Sequence, residues 1–495
     1  MKSDGRTTGN PSESRGVNRV LIAGLKSHSG KTLVTCALLE TLRRRKLDPA
    51  SFKCGPDYID PMFHERVLGI ECKNLDTYFA GTDGVRRLVA ECCRRYAVIE
   101  GVMGIYDGAD VGGLAGSSYE IAAATSSPVI LVVDASGIGR TALSLIRGIL
   151  EDDSEHLIRG LILNRCPSGY YTRLKPVLAT EFRKGGYNVR ILGAIPTEED
   201  IRLESRHLGL ILPGEVEDIR DKIRRAADLL EEHVDVGGIL ELMREAGSGQ
   251  SECRSAEDQE SVPLQSVSDT CRRQSAFSAG RYLTLAVARD EAFCFYYKEN
   301  LEMFRRRGVK IRWFSPLHDR EIPEDADGLL LGGGYPENHL EELSRNRSML
   351  ESVRKAADRG LPSLAECGGF MYLHRTVEDM DGRRYEMVGA VDGECRYAGH
   401  LVRFGYMEIE AVNEKEGPAD QLPESLVGMR GHEFHYYDST CNGNVCTAGK
   451  PYRDTKWNCI VAGNNGIWGF PHFYYGSDSR FVDRFISRMK KMADR

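Results

Sequence analysis

The sequence lacks any apolar run approaching the roughly 18 residues that suggest a membrane span. It also lacks a basic excess: 66 Lys and Arg stand against 73 Asp and Glu, a formal net charge of −7. That balance removes the general electrostatic case for nucleic-acid binding, which needs a basic domain. No C-x-x-C pair occurs. The 14 cysteines are scattered, and only Cys92 and Cys93 are close. Met1–Val17 is polar and Gly/Ser-rich, without the apolar core of a signal peptide, and reads as a disordered tail. Together these absences predict a cytoplasmic protein with reduced thiols, free of membrane and nucleic acid, rather than a disulfide framework. What is present is length: 495 residues, enough for two or three domains and for cores that need no covalent staple.

One stretch breaks the pattern. Glu245–Gly280 is rich in Ser, Gln, Glu and Gly, has no apolar periodicity, and cannot bury enough surface to offset its ordering entropy. It predicts a linker between residues 18–244 and 281–495. Before it, buried-strand runs at Val20–Ala23, Ala97–Glu100, Val129–Val133, Gly160–Leu163 and Val189–Ala194 alternate with helical stretches at Lys31–Arg45, Ser117–Thr125 and Thr141–Leu150. Alternation of this kind predicts a parallel sheet covered on both faces. Glu215–Arg244 reads as one long, charged amphipathic helix. After the linker the alternation restarts, with strands at Tyr282–Ala288, Val309–Phe314, Gly328–Leu331 and Leu361–Ala365 and helices at Asn300–Arg307 and Ser348–Arg359.

The first strand runs into Gly24-Leu25-Lys26-Ser27-His28-Ser29-Gly30-Lys31-Thr32 and then a helix. Amides at such a turn converge on one locus, and the helix start adds positive potential there. Lys31 supplies a point charge for β- and γ-phosphates and Thr32 a hydroxyl for Mg²⁺. Five residues separate Gly24 from Gly30 where four are usual, and Lys26 lies five before Lys31, which resembles the variant loop of the MinD/dethiobiotin synthetase group of ATPases. Glu100 ends a strand in Val98-Ile99-Glu100-Gly101 and so faces the ligand crevice as a candidate Mg²⁺ ligand. Asp107, in an Asp-Gly pair, is a weaker candidate and equally a turn residue. Asp57 and Asp60, in Cys54-Gly55-Pro56-Asp57-Tyr58-Ile59-Asp60-Pro61, are expected in a rigid loop where they could hold a second metal or orient an acceptor. The alternative is a tight turn with solvated aspartates.

In the second half Leu361–Ala365 leads into Glu366-Cys367-Gly368-Gly369. A cysteine between a strand and a glycine-flanked helix start is a nucleophile elbow, and the helix start is expected to lower the thiol pKa. Upstream, Gly332-Gly333-Gly334-Tyr335-Pro336-Glu337 offers amides of Gly333 and Gly334 for an oxyanion hole with the N–H of Gly368. The base could be His472, His432 or His435; spacing alone does not rank them.

The ordered set resembles the cobyrinate a,c-diamide synthases of the cobalamin pathway. Its marks are Ser-Gly-Lys-Thr at 29–32, Phe-Lys-Cys-Gly-Pro-Asp-Tyr-Ile-Asp at 52–60, Asn-Leu-Asp at 74–76, Val-Ile-Glu-Gly-Val-Met-Gly-Ile-Tyr-Asp-Gly at 98–108 and Arg-His-Leu-Gly-Leu at 206–210. They continue with Gly-Gly-Gly-Tyr-Pro-Glu at 332–337, Ala-Glu-Cys-Gly-Gly at 365–369 and Gly-His-Glu-Phe-His-Tyr at 431–436. The resemblance implies an α/β protein of two domains: an N-terminal P-loop-type parallel sheet, dethiobiotin synthetase-like, and a C-terminal class I glutamine amidotransferase-like α/β domain. It implies Cys367 as nucleophile and His472 as the histidine that raises its reactivity. Gly30, Lys31 and Thr32 become the phosphate loop, Glu100 a Mg²⁺ ligand, and Asn164 a residue near the nucleotide base. Asp57, Tyr58 and Asp60 would face the corrinoid carboxylates. Many glutaminases of this type place a glutamate two residues after the histidine; here that position is Tyr474, which leaves the orientation of the imidazole open. Lys26 departs from the family, where glycine often stands.

The implied reaction uses ATP, L-glutamine and Mg²⁺. The first domain would make an acyl phosphate on the a- and c-acetate side chains of cobyrinate; the second would release ammonia from glutamine through a Cys367 thioester. Hydrogenobyrinate and nickel sirohydrochlorin are alternative acceptors. A MinD/ParA-like ATPase switch is an alternative of another class, disfavoured by intact glutaminase motifs. The resemblance allows a homodimer.

Overall fold

The structure, a computed structural model, describes residues 16–92, 94–201, 216–257, 277–278, 281–413, 423–463 and 465–494. Most of the expected tail and linker, and the Arg206–Leu210 motif, lie outside the described residues. The chain divides into two compact units, Met1–Thr77 with Gly81–Pro263, and Tyr78–Ala80 with Leu264–Arg495.

The first unit is built on seven parallel strands: β1 (Asn18–Gly24), β2 (Pro49–Cys54), β3 (Cys72–Leu75), β4 (Tyr96–Glu100), β5 (Val129–Asp134), β6 (Ile158–Asn164) and β7 (Arg190–Ala194), in the order β3-β2-β4-β1-β5-β6-β7. The order reverses beside β1, and in open α/β sheets such a switch point, at the carboxyl ends of the strands, is where ligands bind. Helix α1 (Lys31–Arg44) follows β1 and buries Val34, Leu38 and Leu42 against Val20, Ile22, Val98, Ile130 and Val132. Near-continuous apolar strands are what a sheet covered on both faces requires.

The expected single helix over Glu215–Arg244 is two helices, Val216–His233 and Val236–Glu257. Asp235 makes the break. Its Oδ1 accepts the Gly238 N–H at 2.9 Å and so caps the second helix. That helix continues to Glu257, inside the segment expected to be unstructured.

In the second unit Lys310–Phe314, Thr284–Ala288, Gly328–Leu331, Ser363–Glu366 and Gly466–Gly469 lie side by side in parallel, with Val461–Ala462 antiparallel at the edge. The period-two alternation of a strand sends Ala286, Leu329, Leu331 and Ala365 to one core and Leu285, Val287, Leu330 and Leu364 to another. Both faces are therefore buried. Two further sheets, one of Arg384–Glu386, His374–Glu378, Val391–Tyr397 and Tyr437–Ser439, the other of Lys456–Cys459, Cys446–Gly449, Arg403–Val412, Arg430–His435 and His472–Phe473, were not expected. Their strands alternate apolar with charged residues, as in Arg403–Val412, so no continuous apolar run marks them.

Candidate active sites

The first candidate site lies at the carboxyl ends of β1 and β4. Gly30 adopts φ 94°, and a Cβ there would stand 2.1 Å from Nδ2 of Asn164. Glycine is thus required twice over, by backbone conformation and by contact. Asn164, at the end of β6, donates from Nδ2 to the Ser29 carbonyl at 3.0 Å. The structure therefore puts Asn164 against the phosphate loop's own backbone. The Ser29 hydroxyl donates to the Lys26 carbonyl at 2.8 Å, closing the loop from within, while the Lys26 side chain is exposed. Arg165 adds a second clamp, donating to the His28 carbonyl at 2.8 Å and pairing with Asp134. Sequence reasoning missed this pair, because neither residue belongs to a phosphate-loop motif.

Lys31 is buried, and its ammonium donates to the carbonyls of Lys26 at 3.1 Å and Met103 at 2.6 Å. Desolvation, with the nearby Lys53 charge, lowers its pKa to about 8. An ammonium held by neutral carbonyls at a helix start is a cation still able to gain from an anionic ligand. Thr32 Oγ1 donates to Glu100 Oε1 at 2.6 Å. Burial raises the Glu100 carboxyl, but Lys53, His64 and Thr32 outweigh it and hold the group well below the ordinary carboxylate range. A hydroxyl and an ionised carboxylate side by side form the hard oxygen donor set that suits Mg²⁺.

Lys53 was not anticipated in any role. It pairs in register with Glu100 on the neighbouring parallel strand, and its ammonium lies 3.0 Å from Glu100, 2.5 Å from Asp60 and 4.0 Å from Asp57. The structure thus brings Asp57 and Asp60 to Glu100 with a lysine among them. Asp57 also accepts the N–H groups of Ile59 at 2.8 Å and Asp60 at 3.1 Å, which starts the short helix Ile59–Phe63. Tyr58 is buried beside it. Asn74 Nδ2 donates to the carbonyls of Gly55 and Asp57 at 2.9 and 2.7 Å and fixes that loop. His64, fully buried, lies 3.2 Å from the other Glu100 oxygen and 2.8 Å from the Ser51 hydroxyl. Asp107 takes the turn role: its Oδ2 accepts the Gly104 N–H at 2.8 Å.

The second candidate site centres on Cys367. The strand Ser363–Glu366 ends there, Cys367 takes φ 48° and ψ −104°, and the helix Gly368–Leu373 begins. A non-glycine residue at positive φ is strained, and such strain collects at functional turns. The flanking glycines are sterically fixed: a Cβ on Gly368 would stand 2.8 Å from Pro336 and 3.2 Å from the Gly334 nitrogen. A Cβ on Gly333 would stand 2.2 Å from Cε1 of His472. Cys367, the glycine loop and His472 therefore meet around one turn. The expectation of a lowered thiol pKa does not hold. Burial comes first, followed by Glu337 and Glu433, and together they push the thiol up against the lowering effect of the Gly368 N–H.

The histidines are now distinguishable. His435 has both ring nitrogens engaged, at 3.0 Å from Glu433 and 2.6 Å from the Tyr437 carbonyl, and stacks on Phe470. His432 lies 3.0 Å from the Tyr297 hydroxyl, and burial holds it well below its ordinary pKa. His472 packs against Gly333 and stacks on His432 at 5.0 Å and 15°. Its Nδ1 lies 3.7 Å from Glu366.

Two family models match the two halves: a CobQ/CobB/MinD/ParA nucleotide binding domain over residues 20–211 and a CobB/CobQ-like glutamine amidotransferase domain over 284–469. The cobyrinate a,c-diamide synthase of Caldanaerobacter subterraneus subsp. tengcongensis is 34% identical over 473 residues, covering 94% of this chain and 97% of that protein. The chain belongs to the cobyrinate a,c-diamide synthase family. The family members from Listeria innocua serovar 6a, 35% identical over 93% of this chain and 96% of their own, and from Thermoplasma volcanium, 34% identical over 96% and 99%, agree. As a family member the chain is a ligase that hydrolyses glutamine, with one nucleotide-binding and one amidotransferase domain. No helix among the described residues is long and apolar enough to cross a membrane.

The Gly333 contact makes a direct prediction. Gly333→Ala should displace the His472 imidazole and lower glutaminase kcat by about 10²-fold or more, the usual share of a positioned base. Amidation from ammonium chloride should be unchanged. Parallel assays of glutamate release and ammonia-driven product formation check both halves.

Proposed function

We propose that this enzyme amidates the a- and c-acetate carboxylates of cobyrinate in the cytoplasm, in cobalamin biosynthesis, using ATP and glutamine and passing through acyl phosphates. The convergence of Cys367, the Gly333-Gly334 loop and His472 around one strained turn carries the glutaminase half of this reading. The name borne by relatives that match nearly the whole chain supports cobyrinate as the acceptor.

A carboxylate is a poor electrophile and ammonia at neutral pH is mostly ammonium, so the two problems are divided. In the first unit Ser29, Gly30, Lys31 and Thr32 cradle the triphosphate, with Lys26 supplying a loop carbonyl and Asn164 bracing the turn. Lys31 stabilises charge on the γ-phosphoryl group as it moves in line to the acceptor, a reaction in which positioning and electrostatics supply nearly all the catalysis. Thr32 and Glu100 would hold Mg²⁺, which neutralises charge on phosphate oxygens when bound. Asp57, Tyr58 and Asp60 face the acceptor, and Lys53 offsets the negative charge that two aspartates would otherwise present to an acid substrate.

In the second unit the Cys367 thiol passes its proton to His472 and attacks the glutamine side-chain amide. The amides of Gly333, Gly334 and Gly368 receive the oxyanion. Because burial keeps the resting thiol protonated, proton transfer to the imidazole belongs to the attack itself. His472 gives that proton to the departing nitrogen, so that ammonia leaves. Water then hydrolyses the thioester to glutamate and restores the thiol, and the ammonia displaces phosphate from the activated acid.

The test is mass spectrometry of cobyrinate, hydrogenobyrinate and nickel sirohydrochlorin, each incubated with enzyme, glutamine and Mg-ATP. Two amidations on cobyrinate support the proposal; product only on another ring overturns the acceptor assignment. The Lys31 environment adds a pH dependence. Its pKa in the free protein is about 8, and a bound triphosphate favours the charged form. ATP affinity should therefore be constant below about pH 7.5 and weaken up to about tenfold per pH unit as Lys31 deprotonates above its pKa. Titration with a fluorescent ATP analogue between neutral and alkaline pH checks it.

A further inference from the structure

Glutaminases of this chain's type need something to hold the imidazole, and the usual position, two residues after the histidine, is Tyr474 here. The structure offers a carboxylate from a different element. Glu366 is the last residue of the strand Ser363–Glu366, immediately before the nucleophile, and its Oε2 lies 3.7 Å from His472 Nδ1. Its other oxygen, Oε1, accepts a hydrogen bond from the Tyr475 hydroxyl at 2.8 Å. Tyr475 is itself fixed: its N–H donates to Asn300 Oδ1 at 2.8 Å, and Asn300 Nδ2 donates to the Phe473 carbonyl at 2.7 Å. Glu366, Tyr475, Asn300 and His472 are all buried.

We infer that Glu366, held by Tyr475, is the positioning residue for His472, so that the carboxylate of the triad comes from the nucleophile strand and not from the histidine loop. This rests on the glutaminase reading of Cys367 and His472. A carboxylate facing Nδ1 fixes the tautomer that leaves Nε2 able to take a proton, and it stabilises the imidazolium that forms. Contacts of this kind are often long before substrate binds and tighten in the reacting complex. Tyr475 keeps Glu366 from rotating away, because Oε1 is anchored while Oε2 faces the ring. Among the described residues, the titratable groups against the imidazole include Glu366 from the strand 363–366 and His432 from the strand 430–435, and Cys367 hands it a proton in the attack. The segments Phe293–Phe295 and Gly333–Gly334 bring Phe295 and Gly333 to it.

The same residues explain why the signal was missed. Reading for a carboxylate near the histidine looks downstream of residue 472, whereas this one is 106 positions earlier in the chain and is joined to it through the register of the strand 363–366 with 466–469.

The experiment compares wild type with Glu366→Ala, Glu366→Gln and Tyr475→Phe, measuring glutaminase kcat and KM across pH alongside ammonia-driven amidation. Glu366→Ala should lower glutaminase kcat about a hundredfold with little change in the KM for glutamine. The acid limb of its kcat–pH profile should move as well, because the variant removes a negative charge 3.7 Å from the group that takes the proton. Glu366→Gln, which keeps an acceptor but not the charge, should recover part of kcat without restoring the acid limb. Tyr475→Phe should show a smaller loss in kcat. Ammonia-driven amidation should match wild type in all three and reports that the chain is folded. Wild-type kcat with an unmoved acid limb in Glu366→Ala overturns the inference. If that variant fails to fold, wild-type kcat and pH profile in Tyr475→Phe overturn it equally. A wild-type enzyme that releases no glutamate sinks the underlying reading instead, and the two failures are distinct.

Discussion

Cys367→Ser is expected to lose glutamine-driven amidation by about 10⁴-fold or more, the scale seen when a nucleophile that acts as a unit with its base is removed. The change is one atom, at a turn already held at φ 48° by the strand before it and the helix after it, so the backbone and the flanking glycines stay as they are. What is lost is chemical. A serine hydroxyl is far harder to ionise than a thiol, and this buried site already disfavours the charged form. ATP-dependent amidation from ammonium chloride should persist at the wild-type rate once ammonia replaces glutamine. Measuring glutamate release and amide formation on the same sample checks both arms. Retention of glutamine use by the serine variant would remove Cys367 from the reaction.

Lys31→Met should give the complementary loss. Without the cation at the helix start, amidation is expected to fall by about 10²–10³-fold with either nitrogen source, the scale of removing one preorganised group that stabilises developing charge. Glutamate release measured without acceptor should continue. The fold should tolerate the change, since Lys31 is a buried ammonium contacting backbone carbonyls and methionine is of similar length. Thermal unfolding should give an unchanged or raised Tm. An amidation rate equal to wild type would contradict the placing of the triphosphate at this loop. Together the two variants separate the chain's chemistry into halves that fail independently.

The distribution of what could be read from sequence follows physical lines. β1, β4, β5 and β6 of the first unit were legible because strands buried on both faces are continuous apolar runs, and the loops at 24–32 and 366–369 were legible because glycine marks a turn that other residues cannot make. Antiparallel strands such as Arg403–Val412 were not, since one polar face hides them among surface residues. Lys53, His64 and Glu366 were missed for another reason. Each acts through a contact between segments far apart in the chain. Lys53 meets Glu100 in register on the neighbouring strand, and His64 reaches the same carboxylate from the helical segment 64–68. Glu366 meets His472 three residues past the strand 466–469 that pairs with its own, and none of these meetings is written locally. The helix break at Asp235 was written locally, as Asp235-Val236-Gly237-Gly238, and was overrun by the stronger charged periodicity on either side. The pKa of Cys367 went the other way from expectation because a helix start is a short-range effect and burial of the whole turn is the larger one.

Nitrogen transfer tests the account most directly. Enzyme, Mg-ATP and cobyrinate are incubated with amide-¹⁵N glutamine and no added ammonium, and the product amides are read by NMR. The account predicts ¹⁵N in both new amides at an enrichment close to that of the glutamine, with one glutamate and one phosphate released for each. Product amides free of ¹⁵N, or glutamate released with no amide formed, would contradict it.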